Sequence, residues 1–142
     1  MGYKFEQLEV WQLALEYTDL AYAIVAKLPK NEMYGLSTQL TRAANSVALN
    51  IAEGSTGLSD KEQARFLSLA TRSLLETVAC LHLINRRAYL NDNQPLRDAY
   101  GKSRQLFIKL QAFRRHLQST PNYLKDESPE YEGYDDNDTI PF

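Results

Sequence analysis

A chain of 142 residues has room for one domain and falls short of two. With 44% apolar and 24% charged residues its make-up is that of an ordinary soluble globular protein, and no apolar run approaches the roughly 20 residues of a membrane span. The formal charge of −2 is unevenly laid out: four basic against six acidic residues over 1–59, eleven against five over 60–120, and one against seven over 121–142.

The first predicted helix runs from about Phe5 to Leu28 and stops at Pro29, because a residue before proline avoids the α region. Leu8, Trp11, Leu15, Thr18, Tyr22 and Val25 recur at helical spacing and make one stripe. Val10, Leu13, Tyr17, Leu20, Ile24 and Leu28 make a second stripe beside it. Together they cover more of the helix than the core of a lone bundle requires, which points to an oligomer.

The second helix starts at Glu32 or Leu36 and runs to Glu53, with Gly54 expected as the glycine just past its end. Leu36, Leu40, Ala43, Ala44, Val47 and Ile51 form its apolar face. Gln39, Arg42, Ser46, Asn50 and Glu53 share another face. They form either a solvated surface or a polar network at a subunit interface, Arg42 meeting Glu53 or Asn50 of a neighbour; such a network would specify one packing, since polar groups buried without partners are costly.

Ser59-Asp-Lys-Glu62 reads as a capping box that opens the third helix, expected to end near Ala88. Phe66, Leu69, Ala70, Ser73, Leu74, Thr77, Leu81 and Ile84 are its expected core side. The turn Asn91–Pro95 offers Asp92 or Asn93 as a cap, and proline is tolerated in a first helical turn. The fourth helix runs to about Gln118 on an apolar face of Ala99, Leu106, Leu110, Phe113 and Leu117, and Pro121 closes it. Four helices with short connections predict an all-α, antiparallel up-down-up-down four-helix bundle over residues 1–120. Residues 121–142 are acidic, with proline, glycine and few aliphatic residues, and are expected to remain a flexible tail.

No constellation for catalysis or for a cofactor emerges. His82 and His116 have no cysteine or carboxylate at ligand spacing, so no metal site is expected. Gly54-Ser-Thr-Gly57 lacks the lysine and the preceding strand of a phosphate loop. The chain is read as a non-enzyme. Met1–Glu9 lacks the pattern of a signal peptide, and Cys80 lies in an apolar helical run, so a cytoplasmic, reducing setting is expected.

The basic half carries the functional reading. At 100° per residue, Lys61, Arg65, Arg72 and Arg86 fall within about 60° of one another on the third helix. Arg97, Arg104 and Arg115 fall within about 20° on the fourth, with Gln111 and Gln118 nearby. Such stripes suit a phosphate backbone, where each neutralised phosphate releases counterions. No aromatic residue interleaves them, so shape-led, weakly sequence-specific binding is expected. The acidic tail would compete for the stripes or dock on a basic partner. The alternative is a protein adaptor that uses Tyr131, Tyr134, Ile140 and Phe142 as an interaction peptide.

Several segments in order carry a resemblance: Phe5-Glu-x-Leu-x-Val-Trp11, Tyr34-Gly-Leu-Ser-x-Gln39, Arg42-Ala-Ala-x-Ser-Val47, Asn50-Ile-Ala-Glu-Gly54, Lys61-Glu-x-x-Arg-Phe-Leu67 and Ser73-Leu-x-Glu76. Over residues 4–118 the chain resembles the bacterial four-helix-bundle proteins encoded in intervening sequences of large-subunit ribosomal RNA genes. The resemblance implies a homopentameric, barrel-like ring of four-helix bundles. Accessory proteins of diversity-generating retroelements are similar in fold, form comparable rings and bind nucleic acid and a reverse transcriptase, which implies RNA, DNA or such an enzyme as a partner here. This chain departs from the pattern at Thr41, where a second basic residue is common, and at Arg72, where glycine is common.

Overall fold

The structure is a computed structural model that describes residues 2–57, 59–120, 123 and 140–142. Four helices dominate it: α1 (Glu9–Val25), α2 (Leu36–Gly54), α3 (Asp60–Arg87) and α4 (Gln94–Gln118), and no strand occurs among the described residues. Single 3-10 turns, Lys4–Gln7 and Lys30–Glu32, lead into the first two. The chain packs α1 between α2 and α4, and α3 between the same two, so α1 and α3 lie on one diagonal of the bundle. Cross-helix pairs fix an antiparallel order. Lys102 meets Glu16 and Lys109 meets Glu9 between α4 and α1, while Ser68 meets Arg114 and His82 meets Tyr100 between α3 and α4.

Between the two stripes of α1, packing selects the second. Val10, Leu13, Tyr17 and Ile24 are buried, with Ala14 and Ala21 beside them. Of the first stripe, Leu8, Trp11 and Val25 only lean on the core, and Leu15 and Tyr22 are exposed. Phe5 packs edge-on against Trp11 at 4.7 Å between ring centroids, a favourable aromatic geometry that fastens the N-terminal turn.

All six expected apolar residues of α2 are buried. Gly54 plays a different part from the expected one. It is the last helical residue and not a residue beyond the end, and its φ is not positive. A Cβ there would stand 2.7 Å from the Cβ of Phe66, so glycine is required by the close approach of α2 and α3. The positive φ of this connection, +87°, sits at Gly57.

Ser59 caps α3 as expected, its Oγ accepting from the amide of Glu62 at 3.2 Å. The reciprocal half of the box is absent, because the Glu62 carboxylate turns to Arg65. The core side of α3 is rotated relative to expectation: Gln63, Ala64, Leu67, Thr71 and Cys80 are buried, whereas Phe66, Leu69 and Ser73 are only half-buried. α3 ends on Ala88 in the left-handed region at φ 54°. Asp92, and not the N-cap Asn93, satisfies a free amide of α4, accepting from Gln94 at 2.9 Å, with Pro95 in the first turn. On α4, Phe113 is half-buried and Leu96 and Ser103 complete the core.

By length and composition alone α3 is long and apolar enough to cross a membrane, which revises the sequence reading. In the bundle its apolar face is instead covered by α2 and α4. The expected flexible tail lies mostly outside the described residues; Tyr123 and Phe142 pack against the bundle.

Candidate functional site

Three surface regions gather the polar and charged residues. The first is α4. Its only acidic residue is Asp98, which accepts a hydrogen bond from Gln94 at 2.8 Å. Packing sorts its cations by face. Lys102 and Lys109 point to α1 and form ion pairs with Glu16 (2.8 Å) and Glu9 (3.3 Å). Arg114 is buried and donates to Ser68 on α3 at 3.2 Å. Arg97 and Arg115 are exposed and Arg104 half-buried on the side of α4 next to α3. The row from Arg97 to Arg115 is about 27 Å long at the helical rise. Gln111, expected at the surface beside this row, is buried instead, and its Oε1 accepts no hydrogen bond among the described residues.

Across the seam, α3 contributes unevenly. The register set by His82–Tyr100 and Ser68–Arg114 brings exposed Arg86 level with Leu96 and Arg97. Arg65 is drawn the other way: it pairs with Glu62 at 3.2 Å and lies over the Phe66 ring, 4.8 Å from its centroid. Lys61 is half-buried at the start of the helix. Arg72 lines a groove toward α2 with Ser46, Asn50, Leu69, Ser73 and Glu76. The four α3 cations of the expected stripe, out of five on that helix, are therefore not gathered into one stripe with α4; of the four, Arg86 stands level with Arg97.

The second region is the exposed side of α2. Thr38, Thr41, Arg42, Asn45, Ser46, Leu49, Asn50 and Glu53 line an open groove of about 550 Å³. Asn50 donates to the Ser46 carbonyl (2.8 Å) and to its hydroxyl (3.1 Å), and Ser73 of α3 donates to that hydroxyl at 2.9 Å. Ser73, expected in the core, is a member of this network instead. Arg42 and Glu53 stand eleven residues apart on one helix, about 16 Å, too far to pair within a protomer. Gln39 is exposed next to the groove, and Leu49 is a large apolar side chain left 58% exposed within it.

The third region brings together Arg97, expected in the basic stripe, and Phe142, expected in an interaction peptide, with His82 and Tyr100, a meeting that the sequence does not mark. Phe142 packs edge-on against His82 of α3 and Tyr100 of α4, with ring centroids 4.9 and 5.5 Å apart, and Arg97 Nε donates to its carbonyl at 3.0 Å. The cluster joins Phe142 to residues 42 to 60 positions before it, so helical periodicity carries no signal of it.

Chemistry among the described residues is sparse. No three His, Cys, Asp or Glu side chains gather where they could hold a metal ion. Cys80 is buried, and burial, with a smaller contribution from the Glu76 charge, pushes its thiol pKa up, which disfavours the reactive thiolate. Tyr17 is buried too, and desolvation holds its phenol well above the usual range despite a hydrogen bond to Thr77.

Comparison with known proteins agrees with this architecture. No curated protein matches the chain. The family model described as 23S rRNA-intervening sequence protein matches residues 6–118, which spans α1 to α4, and the chain therefore belongs to that family.

Proposed function

We propose that this protein is a non-catalytic scaffold that assembles with copies of itself and binds structured RNA, or an RNA-handling protein such as a reverse transcriptase, through the basic face of α4. The observation that carries the reading is the sorting of charge on that helix. Its lysines are engaged by α1 carboxylates, while Arg97 and Arg115 remain exposed on another face with Arg104 between them and Arg86 across the seam. Arginines placed along a helix follow phosphates without reading bases, so affinity comes from counterion release and little sequence preference results.

Self-assembly is supported by what the single bundle leaves uncovered. Leu15 and Tyr22 of α1 are exposed, as is Leu49 in a groove flanked by Arg42 and Glu53, which lie too far apart to pair with each other. In an assembly Arg42 of one copy would meet Glu53 of the next. Five copies, the number the family resemblance implies, would repeat the α4 row around a ring and multiply weak contacts. A cytoplasmic location fits this reading.

Two measurements test it. Light scattering at micromolar concentration should find an oligomer; a well-folded monomer overturns the assembly. A gel-shift series with structured RNA should show binding that falls steeply with salt, and no binding at low salt overturns the RNA reading.

A further inference from the structure

α1 and α3 stand on one diagonal of the bundle, so their outer crests face away from each other at opposite corners. Each crest carries apolar residues that the fold leaves uncovered. Leu15 and Tyr22 of α1 are 39% and 49% exposed, and Leu75 and Leu83 of α3 are 42% and 47% exposed. At 100° per residue, exposed Leu15, Asp19 and Tyr22 fall within about 60° on α1. Exposed Arg72, Leu75, Ala79, Leu83 and Arg86 fall within about 80° on α3. A single exposed leucine is ordinary on a protein surface. Here two apolar rows of nearly equal length, about 10 Å and about 12 Å, carry opposite charge.

α1 contains Glu9, Glu16 and Asp19 and no lysine or arginine. Glu9 and Glu16 turn to the lysines of α4, whereas Asp19 makes no ion pair among the described residues. The α3 row sets a small residue, Ala79, between two leucines, with an arginine at each end. It is a notch with a cation on either side. On α1, Tyr22 is the larger exposed apolar side chain, and Asn45 of α2 donates to its hydroxyl at 2.9 Å. That bond holds the ring at the surface before a partner arrives, which lowers the ordering cost of a contact.

We propose that the α1 crest of one copy packs on the α3 crest of the next, with Tyr22 seated over Ala79 between Leu75 and Leu83, and Asp19 paired with the arginine at one end of the row. The contact rests on the self-assembly reading above and names the faces that meet. With Tyr22 over Ala79, Asp19 lies about 4.5 Å along the helix toward an arginine about 10.5 Å away. An extended arginine side chain spans the difference of about 6 Å, and because both ends of the row are arginines the pairing forms in either direction of approach. Like faces repel: α1 on α1 sets Asp19 against Asp19, and α3 on α3 sets arginines against arginines. The contact is therefore heterologous, each copy offering one crest and receiving the other, so that copies follow head to tail.

Two full-length variants test it. One breaks the α1 crest, Leu15→Arg with Asp19→Arg; the other breaks the α3 crest, Leu75→Asp with Leu83→Asp. Light scattering at micromolar concentration should find an oligomeric parent and at least tenfold weaker self-association for each variant alone. Mixed one to one, the variants should form a heterodimer, because one intact α1 crest and one intact α3 crest remain. Circular dichroism checks folding. Should the leucine changes unfold a chain, Asp19→Arg alone and Arg72→Asp with Arg86→Asp take their place, and all three in one chain should restore assembly. A variant that assembles like the parent, or a mixture that stays monomeric, overturns the contact while the oligomeric parent keeps the assembly reading. If the α3 variant keeps the parent's assembly and loses structured RNA, the crest belongs to RNA and the contact is overturned. A monomeric parent overturns both.

Discussion

The phenol of Tyr17 on α1 and the hydroxyl of Thr77 on α3 meet at 2.6 Å across the diagonal of the bundle, both side chains being fully buried. Thr77 gives its own proton to the Leu74 carbonyl at 2.5 Å, so Tyr17 is the donor to Thr77. This single bond ties two helices that meet only along the diagonal.

The two halves of that bond are unequal. Tyr17→Phe removes the donor and leaves Thr77 still bonded to Leu74, which should cost about 1 kcal/mol. Thr77→Val strands a buried phenol and should cost more, within about 1–3 kcal/mol. The double variant should cost less than the sum of the singles, because no stranded group remains. Urea unfolding of the four proteins measures the cycle; strict additivity would show that the bond contributes nothing.

Alkaline stability should report the same phenol. Its pKa is raised in the folded state above the ordinary 10.0, so the unfolded chain releases the proton first. The contribution is complete below pH 10 and is lost as pH climbs from there toward the folded pKa. Tyr17→Phe should flatten the part of the decline above pH 10 that Tyr17 contributes, as measured by unfolding free energy between pH 8 and 11. An unchanged slope in the variant would refute the assignment.

At Gly54 the prediction follows from space and not from backbone angle. Gly54→Ala drives a Cβ to 2.7 Å from the Phe66 Cβ and should destabilise by about 1–3 kcal/mol through separation of α2 from α3. Phe66→Ala keeps its Cβ, so the cost of Gly54→Ala should persist in that background. Loss of the penalty there would place the clash on the aromatic ring.

The division of cations on α4 predicts opposite outcomes for charge-removing variants. Gln at Arg97, Arg104 and Arg115 together should lower affinity for structured RNA and reduce the magnitude of the salt slope by about one for each phosphate no longer neutralised. Gln at Lys102 and Lys109 should leave RNA binding nearly unchanged, since both face Glu16 and Glu9. Exposed pairs of that kind contribute little, so stability should change by under about 1 kcal/mol. Equal effects of the two sets would mean that net charge alone governs binding.

The sequence by itself determined the four helices, the stop before Pro29, the glycine-bearing loop between Gly54 and Ser59, the turn that leads to Pro95, the cap at Ser59 and the separation of a basic half from an acidic end. Those are local matters, decided by periodicity, by fixed or permissive backbone angles and by the composition of consecutive residues. Tertiary structure decided which of two apolar stripes on α1 faces inward, that Gly54 is needed for a close approach, and that Ser73 joins Ser46 and Asn50. It also decided that lysines and arginines of one helix take different faces, and that Phe142 returns to His82 and Tyr100. A repeat of 3.6 residues tells which side chains share a face, but each partner comes from tens of residues away, and only packing supplies it.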